Sequence, residues 1–145
     1  MMRRIPFILI IVSLFYSGCK GKEIRPSADF LLSQNAIDLT STIREAYERK
    51  DDALIREKVK PSVADTLLDS LVFEEARLSF NIMMIRITPA EVRINLNWTG
   101  EWLVDGKRLS ERGVTTLAYE KRDMRLIRIE GDNPFLIPHG DSGLE

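Results

Sequence analysis

Glu111, Thr115, Arg128 and Glu130 come nearest to a chemical constellation in this chain. On the strand register that the turns imply, they share the apolar sheet face near Gly100 and Gly113. Two glycines leave space, and two carboxylates, a hydroxyl and a guanidinium would rim it. Burial would raise the pKa of Glu111 or Glu130 and make it a proton acceptor at a cavity mouth. The plainer reading is a solvated rim in which Arg128 pairs with a glutamate. It is preferred, because charged side chains sit where water reaches them. Other chemistries lack their residues. Cys19 is the single cysteine and His139, between Pro138 and Gly140, the single histidine. A nucleophile activated by histidine would have to use that residue near the C-terminal end. A zinc site of His and Cys ligands is not available. Neither a glycine-rich phosphate loop nor a dinucleotide fingerprint occurs. No catalytic residue is assigned, and no metal or cofactor is expected.

The opposite sheet face carries charge of one sign. The register sets Arg86 opposite Arg93, then Ala118, then Arg125. Like charges directly opposite are unfavourable in a sheet. An anionic partner, such as lipid headgroups or glycan-linked carboxylates, would relieve them. Neutralisation by Glu91 and Glu120 on a solvated face would also do so, and is preferred. An exposed tryptophan would mark a partner hot spot. Trp98 and Trp102, however, share the phase of Val92, Ile94 and Leu96, which favours core packing. Trp102, nearer the hairpin tip, is the better contact candidate. Arg86, Arg93, Arg125 and Trp102 therefore form the candidate partner surface. Met83-Met84 is expected as core filler.

The whole chain has 145 residues, 21 Lys plus Arg, 22 Asp plus Glu and a net charge of −1, with 44% hydrophobic residues. That suits one globular domain. It excludes a mainly disordered chain, a disulfide scaffold and a polybasic nucleic-acid arm. The totals mix two different parts. Met1-Met2-Arg3-Arg4 is a positive head, Ile5 to Phe15 is an uncharged apolar run, and Tyr16-Ser17-Gly18-Cys19 places small residues before the cysteine. This is the pattern of a secretory signal, and the run is short of the ~20 apolar residues of a membrane span. Ser17-Gly18-Cys19 resembles the end of a bacterial lipoprotein signal, the lipobox. The resemblance implies cleavage before Cys19 and its acylation. Lys20 after the cysteine resembles the outer-membrane sorting pattern of Gram-negative lipoproteins. Localisation in the bacterial cell envelope, on the periplasmic side of the outer membrane, is the expectation. Removing residues 1–18 takes Arg3 and Arg4 with them and leaves 127 residues at a net charge of −3.

These side chains need elements to position them. Residues 19–28 read as a lipidated tether, 29–135 as the domain and 136–145 as a flexible tail. Ser27 or Asp29 can cap a helix to about Lys50, with Leu32, Ala36, Leu39, Ile43, Ala46 and Tyr47 as its apolar stripe. Asp51-Asp52 can cap a short second helix, and Pro61 suits the first turn of a third. After Phe73 the period changes to two. Leu78, Phe80 and Ile82 alternate, then the phase slips to Met83, Ile85 and Ile87, which predicts a bulge near Ile82–Met84. Val92 to Val104 alternates cleanly, and Asp105-Gly106 is a hairpin signal. Strands follow over 109–119 and 124–130. The Asp105-Gly106 turn sets Trp102 opposite Leu109, Trp98 opposite Gly113 and Ile94 opposite Leu117. A turn at Lys121-Arg122 sets Leu117 opposite Leu126 and Thr115 opposite Arg128.

The reading is α+β: N-terminal helices packed on a curved four-stranded antiparallel meander, a cone-like roll. The element order, the long bent second strand and the run Ile127-Arg128-Ile129-Glu130-Gly131-Asp132 resemble the cystatin-like and nuclear-transport-factor-like folds. Those folds include ketosteroid isomerases and many small bacterial lipoproteins. The resemblance implies a possible cavity between helix and sheet. Two functions follow. One is a non-catalytic, lipid-anchored envelope protein that binds a protein partner or envelope component. The other is a small-molecule binder, or a carboxylate-dependent isomerase or lyase, using the cavity.

Overall fold

The computed structural model describes residues 25–138. The export segment, Cys19, most of the tether and His139 lie outside them. Three helices, α1 (Ala28–Glu48), α2 (Asp52–Lys58) and α3 (Pro61–Asp69), precede four strands. The strands are β1 (Glu75–Ile87), β2 (Glu91–Val104), β3 (Lys107–Glu120) and β4 (Leu126–Gly131), in spatial order β1-β2-β3-β4. Every neighbouring pair is antiparallel.

Local chemistry starts each helix. The Ser27 side chain accepts from the Phe30 amide, and Asp51 accepts from the Leu54 amide. Pro61 opens α3, where its missing N–H costs nothing. Along α1, Ala36, Leu39, Ile43, Ala46 and Tyr47 are buried, as the spacing predicts, with Thr40 beside them, while Leu32 is only partly buried. This stripe lies on the sheet face built from Ala76, Leu78, Val92, Ile94, Leu96, Trp98, Trp102, Leu117 and Tyr119. Lys60 N–H donates to the Leu126 carbonyl at 2.8 Å and ties the helices to β4.

The hairpin at Asp105-Gly106 is a two-residue turn with both φ values positive, 49° and 72°. It sets the expected pairs Trp102–Leu109, Trp98–Gly113 and Ile94–Leu117. The bulge falls between Ile82 and Met84. It returns Ile85 and Ile87 to the core side, where both are partly buried. Met83 and Met84 are 58% and 51% exposed, so they are not core filler. The extra residue turns them outward.

One predicted register is wrong. Leu117 pairs with Ile129, not Leu126, and Thr115 pairs with Gly131, not Arg128. Two effects add. The chain turns through Lys121 to Met124 rather than two residues, with Glu120 N–H bonded to the Arg125 carbonyl and Met124 at φ 51°. A second irregularity between Ala118 and Tyr119 contributes one further residue of slip. Beyond that slip the total shift is odd and moves Arg128 and Glu130 to the opposite face, while Leu126, which pairs with Tyr119 ahead of it, stays buried in the core. Gly131 closes the strand at φ 88°, where a Cβ would stand 2.8 Å from the Val114 carbonyl oxygen.

Candidate functional site

The space expected to be a cavity is filled. A Cβ on Gly100 would lie 2.2 Å from the Trp102 ring, and one on Gly113 would lie 2.6 Å from the Asp132 side chain. Each glycine therefore accommodates a neighbour rather than a ligand. Trp102 is 1% exposed, so it is a core residue and not part of a partner surface. Its indole N–H donates to the Tyr47 hydroxyl at 3.1 Å. Its ring meets Trp98 edge-on at 6.4 Å. Trp98 in turn donates to the Asp132 carbonyl at 2.9 Å. Phe135 follows the last strand and enters the interior fully buried, with its ring 5.2 Å from Tyr47 and 6.0 Å from Phe80. Tyr119 closes the space from the sheet. Its hydroxyl lies 2.6 Å from that of Thr40, which donates to the Ala36 carbonyl. Desolvation raises the pKa of both tyrosines, so both phenols stay neutral.

The four predicted rim residues do not converge. Thr115 is buried on the core face and donates to the Glu130 carbonyl at 2.9 Å. Glu111, opposite Gly100, is exposed. Arg128 and Glu130 stand on the outer face, because of the β4 shift. Glu130 is no proton acceptor of raised pKa. Its hydrogen bond from Arg128, then the charge of Arg93, holds its carboxyl below the ordinary glutamate value.

The shift also rebuilds the arginine row. Arg86 pairs with Arg93 as expected, and Arg93 with Ala118, but the fourth place belongs to Arg128 rather than Arg125. Arg125 lies beyond the strand and donates to the Arg56 and Val59 carbonyls at 3.0 and 2.8 Å, at the end of α2. Arg93 and Arg128 of the row are neutralised internally. Arg93 pairs with Glu130, Arg128 pairs with Glu130 at 2.6 Å, and Arg128 pairs with Glu91 at 3.1 Å. Glu120 instead pairs with Lys60 at 2.8 Å. Among the described residues Arg86 has no carboxylate partner. It is exposed beside Met84 in a hollow of about 180 Å³ that Arg93, Asn95 and Thr116 complete.

Farther along the same face is a wider, open groove of about 540 Å³. Arg77, Ser79, Thr99, Glu101, Ser110 and Arg112 project into it from three adjacent strands. Arg77 pairs with Glu75 at 2.8 Å, while Arg112 has no carboxylate partner among the described residues. Asn97 and Val114 stand between the two hollows. Hydroxyls, amides and two uncommitted guanidinium groups give this face the means to hold an extended polar or anionic surface. It presents no acid–base pair aimed at an enclosed point. Sequence reasoning missed Arg112 and the Ser and Thr positions. Their outward alternation in β2 and β3 was the available signal.

Among the described residues, no group of three or more His, Cys, Asp or Glu could hold a metal ion. No helix there is long and apolar enough to cross a membrane. No protein-family model matches the chain, and no curated protein matches it. Solved structures do. A nuclear transport factor 2 (NTF2-like) superfamily protein from Salmonella enterica serovar Typhimurium superposes with a TM-score of 0.62 at 10% identity. The alignment covers 81% of this chain and 100% of that one. A multiply substituted protein bearing the NTF2 name gives a TM-score of 0.51 at 13% identity, covering 69% of this chain and 98% of its own. Identity this low carries the architecture alone, so with its helices laid across a four-stranded antiparallel meander the chain has the NTF2-like α+β fold.

Proposed function

We propose that this protein is a non-catalytic, lipid-anchored component of the bacterial cell envelope, which binds a protein partner or envelope component on its outer sheet face. One observation carries the binding reading. The interior is closed by Tyr47, Phe73, Trp102, Tyr119 and Phe135, while the outer face keeps open hollows with Arg86 and Arg112 uncommitted. The isomerase or small-molecule reading needs Glu111, Arg128 and Glu130 around one interior space, whereas Arg128 and Glu130 pair with each other on the outer face and Glu111 is exposed. The anchor rests on Ser17-Gly18-Cys19 behind an apolar run. Two acyl chains supply the stable attachment that one does not.

Photo-crosslinking from position 97, at the centre of the outer face, tests the surface in intact envelopes. A discrete adduct should form there and weaken in the double variant Arg86→Glu, Arg112→Glu. Adducts equally strong in that variant would remove the charge-directed reading. Fatty-acid labelling tests the anchor separately, since label retained in Cys19→Ser would exclude it.

A further inference from the structure

Phe30 and Leu31 are 52% and 51% exposed at the first turn of α1, although both are large and apolar. Burial along the helix begins in earnest only at Ala36, with Leu32 packed partly against the core. The tip of α1 therefore carries two bare apolar side chains. Their pattern is informative. A helix that docks in a protein groove presents apolar residues at three- and four-residue steps over two or more turns. Here the positions four residues on are Gln34 and Asn35. The apolar surface is confined to the helix end and does not continue as a lateral stripe. Such an end suits shallow insertion into an interface rather than a groove.

The chain leading to this tip points to the occupant. Residues 20–27 separate Cys19 from the helix and span at most ~29 Å when fully extended. Lys20, Lys22 and Arg25 stand in that stretch against Glu23 alone. Basic residues beside an apolar patch are attracted to anionic headgroups, and insertion of such a patch goes ~5–10 Å deep.

We infer that Phe30 and Leu31 dock the domain onto the phospholipid surface that holds its anchor, fixing the tip of α1 at the bilayer. The inference rests on the lipid-anchored reading above and adds an orientation to it. With the α1 tip held down, the domain has a membrane-facing end rather than swinging freely on its tether.

The test uses the acylated full-length chain, in which Cys19 is blocked by lipid. A spin label at Leu31→Cys is compared with one at Val72→Cys, whose native side chain is 72% exposed on the α3–β1 connection. The protein is reconstituted in vesicles of phosphatidylethanolamine with a minority of phosphatidylglycerol. Label 31 should be several-fold more accessible to oxygen than to an aqueous nickel complex, relative to label 72. Equal aqueous accessibility at both positions, in protein that floats with the vesicles, overturns the docking and leaves the anchor intact. Protein that fails to float overturns both. If label 31 is aqueous in pure lipid but shielded from both reagents in native envelopes, a protein covers the patch and the lipid assignment is wrong.

Discussion

Glu130 shows how one residue's role depends on which side of a strand it occupies. Facing inward it would be a candidate acid–base group. Facing outward it bridges Arg93 and Arg128 and stays ionised. Its folded pKa lies below the ordinary value of 4.5, chiefly through the Arg128 hydrogen bond. A depressed carboxyl contributes stability above the unfolded value, and that contribution is lost as pH falls through the folded one. Melting temperature should therefore decline as pH drops below about 4.5, and less steeply in Glu130→Gln. Salt should shrink the difference, since the pair is partly exposed. Identical acid limbs for the two proteins would show that the bridge contributes nothing measurable.

Among the elements, the pairing of α1 with β1 solves an edge problem. β1 has β2 on one side only, so half its backbone groups face outward without a strand partner. Glu48 accepts from the Leu78 amide at 2.6 Å, and Arg44 donates to the Leu78 carbonyl at 3.1 Å. Two side chains one helical turn apart thus occupy both outward groups of one edge residue. Glu48→Leu should cost ~1–2 kcal/mol in urea unfolding, by leaving a strand N–H without its acceptor. Glu48→Gln keeps an oxygen in place and should lose less. Equal losses in the two variants would attribute the effect to packing instead. The bulge at Met83 belongs to this scale as well. It keeps Ile85 and Ile87 inward on a strand too long to stay in phase, and it turns two methionines to solvent.

At the scale of the molecule, the cone is a packed core, and its plug comes from outside the sheet. Phe135 lies four residues beyond β4 and reaches Tyr47 and Phe80, while Ser70 donates to its carbonyl at 2.6 Å. The C-terminal segment, α3 and α1 are thereby joined in one cooperative unit. The chain contains three tyrosines, and without residues 1–18 only Tyr47 and Tyr119 remain. Both are fully buried, and burial raises both pKa values above 10.0. The neutral phenols stabilise the fold below that pH, and the contribution is lost as pH rises above it. Phenolate absorbance of the shortened chain should therefore appear together with loss of circular dichroism, in one alkaline transition. Phenolate formed at about pH 10 in protein that retains its ellipticity would contradict this closed interior.

Features carried by local chemistry were legible in the sequence. Ser27, Asp51 and Pro61 mark helix starts by their own bonding, and the stripe from Leu32 to Tyr47 follows from a 3.6-residue period. The Asp105-Gly106 turn sets the β2–β3 register, because a two-residue loop leaves no freedom in the pairing. The β3–β4 register was not legible. Its turn is longer, and the slip at Ala118–Tyr119 has no composition of its own. That one shift reassigned Arg128 and Glu130 from a supposed cavity to the outer row, and removed Arg125 from it. Whether the cone is empty or filled was also beyond the sequence. Alternation shows that Trp102 faces inward, but only packing shows that its ring occupies the space above Gly100 and that Phe135 returns from outside the sheet to close the rest. Periodicity acts between near neighbours, whereas occupancy of the interior depends on side chains brought together from distant parts of the chain.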